Sequence, residues 1–376
     1  MHDSLKTPGS DWAWPPPPPP RPRPYHILVI AVALVMVAVA ALASVELSGG
    51  PRGTTTPAAA PAFSLAARID PGLADVTATL GYRQEISAGT GMVLTPSGLV
   101  LTNNHVIEGA TSVTVTDVGN HHTYTATTVG YDQSQDIAVL QLAAASGLKT
   151  VALAGSAAVK AGEKVLALGN AQGQGGTPAA AAGTVTALDQ SITATDEGAG
   201  ISEQLTGLIQ TDVPLQPGDS GGPLVSPAGQ VIGMNTAASA QFQISSEAAR
   251  AFAVPSGQAA AVAAAIAAGT ASALIHLGAT AFLGIQVVSY GIPIGGNPAR
   301  TGAGVVGITA GSPAAAAGLL AGDVIVSIGG HAVTSATSLR SVMDAYHPGG
   351  RAVLRWVDQV GQAHAATVVF TAGPTG

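Results

Sequence analysis

Three short stretches carry side chains that chemistry can use. Leu101-Thr102-Asn103-Asn104-His105-Val106 places a histidine where a strand-like run ends. Asp136-Ile137-Ala138-Val139-Leu140 places an acid directly before an apolar run. Pro217-Gly218-Asp219-Ser220-Gly221-Gly222-Pro223 places a serine inside a glycine-rich turn. A serine hydroxyl is a weak nucleophile at neutral pH and needs a base within hydrogen-bond reach. Histidine titrates near neutrality, so His105 can take that proton and later return it to a leaving group. A buried carboxylate such as Asp136 fixes the imidazole tautomer and stabilises the imidazolium. Glycines flanking the serine let backbone N–H groups turn toward a developing oxyanion. The donors expected for that hole are the N–H groups of Gly218 and Ser220.

Gly218 to Gly222 also fits G-x-S-x-G, the nucleophile elbow of α/β-hydrolases. Two features oppose that reading. The chain order is histidine, aspartate, serine, whereas the elbow enzymes run serine, acid, histidine. An elbow also leads from strand into helix, and here Ser220 is followed by Pro-Leu-Val-Ser, a Pro-Ala-Gly turn and Gln-Val-Ile-Gly-Met, which read as a hairpin. Two nearby decoys are set aside. His121 and His122 read as a solvated hairpin tip, and Asp132 does not directly introduce the apolar strand.

The elements that must position these side chains are strands. From Ala66 onward, runs rich in Val, Ile, Leu and Thr are punctuated by turn residues, as in GMVLTPSGLVLTNNHVI and TSVTVTDVGNHHTYTATTVGY. Short strands at regular spacing predict an antiparallel sandwich or barrel assembly, mainly β in class. Gln258 to Ala273 reads as an Ala-rich surface helix closing this unit rather than as a second membrane span. A smaller β-plus-helix unit follows Leu277 and runs to about Phe370.

The N-terminus sets the location. Ile27 to Val45 is apolar except for Ser44, close to the roughly 20 residues that span a bilayer as a helix. Lys6, Arg21 and Arg23 precede it, so the positive-inside rule keeps the N-terminus cytoplasmic and exports the rest. Ala41-Leu42-Ala43 resembles a signal-peptidase site, which leaves a cleaved signal peptide, and hence a secreted body, as the alternative. The preceding segment is long for a signal peptide, which favours an uncleaved anchor. Pro15 to Pro20 reads as a polyproline II spacer, with an SH3-like docking role as the alternative. Residues 48–65 read as a flexible linker.

Composition excludes several classes. The chain of 376 residues has a formal net charge of −7, and its soluble part carries no basic block. That argues against a nucleic-acid partner. It contains 0 cysteines, which excludes disulfides and thiolate chemistry. No metal-ligand or nucleotide motif is present, so no cofactor is expected.

At GTGMVLTPSGLVLTNNHVIEGA, QDIAVLQL, GEKVLALGN and QTDVPLQPGDSGGPLVSPAGQVIGMNTA the sequence resembles the HtrA/Deg family of trypsin-like serine proteases. The branch it resembles is bacterial, membrane-anchored or secreted, with one PDZ domain. The resemblance places the family's triad on His105, Asp136 and Ser220. It implies a chymotrypsin-like double β-barrel over 66–274, followed by a PDZ domain over 275–372. Before them stand a cytoplasmic tail (1–25), a transmembrane helix (26–47) and the linker (48–65). Homotrimers and partners that are protein substrates or peptide C-termini are implied likewise. Many members carry Asn before the nucleophile, where this chain has Asp219; that carboxylate is expected to bond loop backbone or respond to pH.

The S1 floor, six residues before the nucleophile, falls on Pro214, flanked by Val213 and Leu215. With no acid there, a small or medium apolar P1 residue is expected. Ala281-Phe282-Leu283-Gly284-Ile285 matches the PDZ carboxylate-binding loop, with Phe282, Leu283, Gly284 and Ile285 as its site residues. Ser338 to Tyr346 would be the helix beside the groove. The activity implied is a serine endopeptidase acting on exported or misfolded proteins under PDZ guidance. The alternative is a non-catalytic chaperone or scaffold that kept the fold.

Overall fold

The computed structural model describes residues 59–82, 84–154, 159–196, 201–236, 250–272, 274–290 and 301–375. The anchor and the proline-rich tail lie outside them. Among the described residues no helix is long and apolar enough to cross a membrane.

The chain enters through helix α1 (Ala59–Ile69), which begins inside the segment read as a linker. Pro61 is tolerated there because it falls in the first turn. Leu65 and Ala66 are buried in the apolar cluster that the two barrels share, which is what holds this helix in place.

Strands β1 (Leu73–Leu80), β2 (Glu85–Val93), β3 (Leu99–Thr102), β4 (Ser112–Asp117), β5 (Thr123–Asp132) and β6 (Ile137–Leu142) form one sheet. Its order is β5-β4-β1-β2-β3-β6, and β5 also pairs with β6, so the sheet closes on itself. β4 shows the driving pattern. Val113 and Val115 point inward while Ser112 and Thr114 face out, as a period of two requires. A short helix, α2 (Asn104–Ile107), follows β3.

The second barrel is built from β7 (Lys164–Gly169), β8 (Ala179–Asp196), β9 (Ile201–Thr211), β10 (Pro223–Val225), β11 (Val231–Thr236) and β12 (Ala251–Pro255), closed in the order β10-β11-β12-β9-β8-β7. Leu101 and Val139 from the first barrel and Leu168 and Met234 from the second meet in a common core.

Helix α3 (Ser256–Ala267) corrects the surface-helix reading. Ala259, Val262, Ala263 and Ile266 repeat at i, i+3, i+4 and i+7, and all four are buried in the shared core. Strand β13 (His276–Leu277) then pairs with β5, so the first barrel's sheet extends slightly past the boundary drawn at 275.

The C-terminal unit contains β14 (Ala281–Phe282), β15 (Ile285–Tyr290), β16 (Gly302–Ile308), α4 (Pro313–Ala317), β17 (Val324–Ile328), β18 (His331–Ala332), α5 (Ala336–Met343), β19 (Arg351–Val357), β20 (Ala363–Val369) and β21 (Thr371–Ala372). Its sheet runs β15-β16-β17-β19-β20, with β18 on β17 and a separate β14–β21 pair. Ser335 opens α5 with a capping box, bonding the Ser338 N–H at 3.0 Å. Leu339 from that helix packs with Ile325, Leu354 and Phe370 in a core of its own.

Candidate active site

Strand pairing brings the first two chemical residues together. β3 and β6 run antiparallel with Thr102 opposite Ala138, so the residues just beyond these ends, His105 and Asp136, fall side by side. Asn103 bridges the two segments, donating from Nδ2 to the Asp136 carbonyl at 2.8 Å. Asp136 takes a left-handed conformation (φ 55°, ψ 46°) at the end of a 3-10 turn, Gln133–Gln135. Aspartate adopts that region more readily than most residues. Asp132 builds the turn by accepting from Ser134 Oγ at 2.6 Å and Gln135 Nε2 at 2.7 Å.

The carboxylate of Asp136 is buried and surrounded by donors. His105 Nδ1 lies 2.8 Å from Oδ2 and 3.1 Å from Oδ1. The His105 backbone N–H donates to Oδ1 at 3.0 Å, and Thr236 Oγ1 donates to Oδ2 at 3.0 Å. An ionised carboxylate only accepts, so the imidazole proton sits on Nδ1 and Nε2 keeps its lone pair. The Asp136 side chain is 6 % exposed and the His105 side chain 41 %, so the imidazole opens to solvent while the carboxylate beside it does not.

Ser220 comes from the second barrel and is itself buried. Gly89, in β2, marks where it meets the histidine helix. A Cβ there would lie 2.7 Å from the Val106 side chain and 3.2 Å from the Ser220 carbonyl. The loop needs its glycines. Gly218 has φ 97° and Gly221 φ 85°, and a side chain on them would strike the carbonyls of Asn170 and Thr90 respectively.

The loop's carbonyls are held one by one. Pro217 C=O accepts from the Gln172 N–H at 2.6 Å and Asp219 C=O from the Gly222 N–H at 3.1 Å. The described chain has no cis peptides, so the N–H groups of Gly218 and Ser220 point away from those two donors. The Asp219 carboxylate, also buried, accepts from the Gln216 N–H at 2.7 Å, while its Oδ1 finds no partner among the described residues. Burial raises its pKa above the usual carboxylate range, against the opposing pull of the Gln216 bond.

The remaining predicted residues separate. Val213 is turned into the second barrel's core, Leu215 packs against that core, and Pro214 is exposed. Residues 237–249 lie outside the described residues. In the C-terminal unit Leu283 is buried and Ile285 packs on the same core. Gly284 (φ 79°) approaches Ser312, and its carbonyl accepts from the Thr309 N–H at 2.9 Å. The Phe282 ring stacks on Tyr82 of the first barrel, centroids 5.2 Å apart. His121 and His122 are exposed at the β4–β5 turn, as read from the sequence.

Sequence reasoning missed Thr236, Thr90, Gln172 and Arg340. For Thr90 a signal existed: glycines at 89 and 91 inside a strand mark close backbone approach. The others act across long sequence separations and leave no local trace. Among the described residues no cluster of His, Asp and Glu could hold a metal ion.

Residues 89–234 match the trypsin-like peptidase domain and residues 304–357 match a PDZ domain. The chain is 30 % identical over 349 residues to the serine protease PepD of Mycobacterium tuberculosis, covering 86 % of this chain and 70 % of that protein. It is 31 % identical over 256 residues to the serine protease Do-like HtrB of Bacillus subtilis, covering 65 % of this chain and 53 % of that protein. A solved HtrA-type protease, AlgW with a tripeptide, is similar with a TM-score of 0.45 and 27 % identity, covering 84 % of this chain and 98 % of that one. Two domain matches in the expected order, together with a relative aligned along most of both chains, place this chain in the HtrA/Deg family of trypsin-like serine endopeptidases with one C-terminal PDZ domain.

Proposed function

We propose that His105, Asp136 and Ser220 act as a triad that hydrolyses peptide bonds in exported or misfolded proteins. The observation that carries this is the double contact of His105 Nδ1 with the buried Asp136 carboxylate, which leaves Nε2 as the base. In this reading Ser220 Oγ attacks the scissile carbonyl as its proton passes to Nε2. The resulting oxyanion is met by the Gly218 and Ser220 N–H groups, and the imidazolium protonates the leaving amine. Water then repeats the sequence on the acyl-enzyme. Pro214 carries no acid to pair with Arg or Lys, which supports small or medium apolar P1 residues.

The PDZ domain guides or regulates this site through peptide C-termini. Support comes from Arg340 on α5, whose Nη2 pairs with Glu108 Oε1 at 2.6 Å. With the Gln133 amide oriented by its partners, Gln133 Oε1 also accepts from Arg340 Nε at 3.1 Å and Nη2 at 2.8 Å. One PDZ side chain thus touches the residue three after His105 and the residue three before Asp136. The N-terminal segment, in this proposal, anchors the exported domains to the cytoplasmic membrane, where they work as a homotrimer.

A fluorophosphonate probe with and without a PDZ-binding peptide tests the core of the proposal. Wild type should label and S220A should not. Absence of labelling in folded wild type under both conditions would favour a non-catalytic scaffold.

A further inference from the structure

Thr90 makes four hydrogen bonds at the junction of the two barrels. It lies in β2 of the first barrel and is 1 % exposed. Its hydroxyl donates to the Gly218 carbonyl at 2.8 Å and accepts from the Asn170 N–H at 2.8 Å. Its own N–H donates to the Ser220 carbonyl at 2.8 Å. Its carbonyl accepts from Thr102 Oγ1 at 2.7 Å. Gly218, Ser220 and Asn170 all belong to the second barrel, so a single threonine ties three of that barrel's peptide groups to the first.

We infer that Thr90 is a positioning residue for the oxyanion hole, acting through its hydroxyl on the Gly218–Asp219 peptide. The inference rests on the proposed role of Ser220. The neighbouring peptides explain why this one matters. Pro217 C=O and Asp219 C=O are fixed within the second barrel, by Gln172 and Gly222. The Gly218 carbonyl between them is held from the first barrel by Thr90 Oγ1. On the other side of the same peptide the Asp219 N–H donates to the Gln216 carbonyl at 3.0 Å, so Thr90 supplies one of its two anchors and the one that comes from the first barrel. Without the hydroxyl, two buried polar groups, Gly218 C=O and Asn170 N–H, lose their partner together. Left with its Gln216 anchor alone, the Gly218–Asp219 peptide shifts and carries the flanking N–H donors away from the oxyanion. Substrate residues on either side of the scissile bond bind elsewhere and feel little of this change.

The test compares T90V, T90S and T90C with wild type and S220A, using a peptide substrate, the fluorophosphonate probe and thermal unfolding. T90V should lower kcat about 10- to 100-fold, less than the roughly 10²- to 10³-fold cost of removing one oxyanion donor outright. KM should stay within about twofold, and probe labelling should slow in parallel. T90S should return kcat to within about threefold of wild type. T90S and T90C lose the same methyl and differ by oxygen against sulfur, a weak donor. They therefore isolate the hydroxyl even if T90V does not fold. Unchanged kcat in T90V, an effect confined to KM, or equal rates for T90S and T90C would overturn the inference. A wild-type chain that neither turns over nor labels would instead overturn the Ser220 reading.

Discussion

The guanidinium of Arg340 sits 2.6 Å from the Glu108 carboxylate, joining the PDZ helix α5 to the loop that leaves the proposed catalytic histidine. Both side chains are partly shielded, so the pair should be worth more than an exposed ion pair, on the order of 1–2 kcal/mol. A double-mutant cycle of Arg340→Ala and Glu108→Ala, read by unfolding, measures that coupling. Arg340→Ala should also expose the 270–280 connection to limited proteolysis and remove most of any rate response to a peptide with a free C-terminal carboxylate. An unaltered peptide response would mean the PDZ domain signals by another route.

Asp136 orients His105, and Thr236 supports Asp136. Asp136→Asn should retain the fold and lower kcat about 10³- to 10⁴-fold, because the amide favours the wrong imidazole tautomer. Thr236→Val removes one of the hydrogen bonds to the carboxylate and should cost roughly 5- to 20-fold, the kinetic equivalent of about 1–2 kcal/mol. Steady-state kinetics on both variants checks the order of the two effects.

The Asp219 carboxylate and the Gln216 backbone clamp each other, since the Asp219 N–H also donates to the Gln216 carbonyl at 3.0 Å. Asp219→Asn keeps an acceptor for the Gln216 N–H and should leave activity nearly intact. Asp219→Ala removes the acceptor and should lower kcat at least tenfold. Burial raises the Asp219 pKa, so the folded state holds this proton more tightly than the unfolded chain. Stability then falls as pH rises through the folded-state value. Relative to wild type, Asp219→Asn should gain stability at pH 7 and lose that advantage in acid, which urea unfolding at two pH values would reveal.

Asp70 gives a second pH signature, away from the site. It lies in the 3-10 turn Asp70–Gly72, which joins α1 to β1. Desolvation raises its pKa from 3.8 to about 6, and its Oδ1 has no partner among the described residues. The ionised form is therefore disfavoured in the folded state. Its contribution to stability grows as pH falls from 7 toward 4 and is lost as pH rises through 6. Asp70→Asn should stabilise the protein at pH 7.5 by about 1 kcal/mol, after allowing for solvent screening at a partly exposed group. Equal stabilities at pH 7.5 would show that the carboxylate is better solvated than its surroundings imply.

Much of the site was legible because its chemistry is local. His105, Asp136 and Ser220 each stand beside a strand boundary or a glycine turn, and their chain order separates a barrel enzyme from a hydrolase elbow. The strands were legible from their periodicity, while the choice of closed barrels over a sandwich came from the family resemblance, because the β5–β6 pairing is a tertiary fact. Helix α3 was found while its buried face was not. Alanine fills both faces of that helix, so the repeat of Ala259, Val262, Ala263 and Ile266 hardly stands out from its background. The first part of helix α1, residues 59–65, was read as linker for a similar reason. Its Pro and Ala content looks like a tether until Leu65 and Ala66 find a core to cover. Arg340 was invisible as a functional residue because its partners lie far along the chain, and the glycines beside Thr90 mark a close approach without naming what approaches.

The position of Thr90 bears on how this protein comes into being. During synthesis the first barrel emerges with His105 and Asp136, while Ser220 and its glycine loop arrive later with the second. The Gly218 carbonyl then gains its hydroxyl partner only when the barrels dock. On the proposed triad, catalytic competence would therefore coincide with docking of the two barrels, and a nascent chain would be chemically silent toward its neighbours and itself.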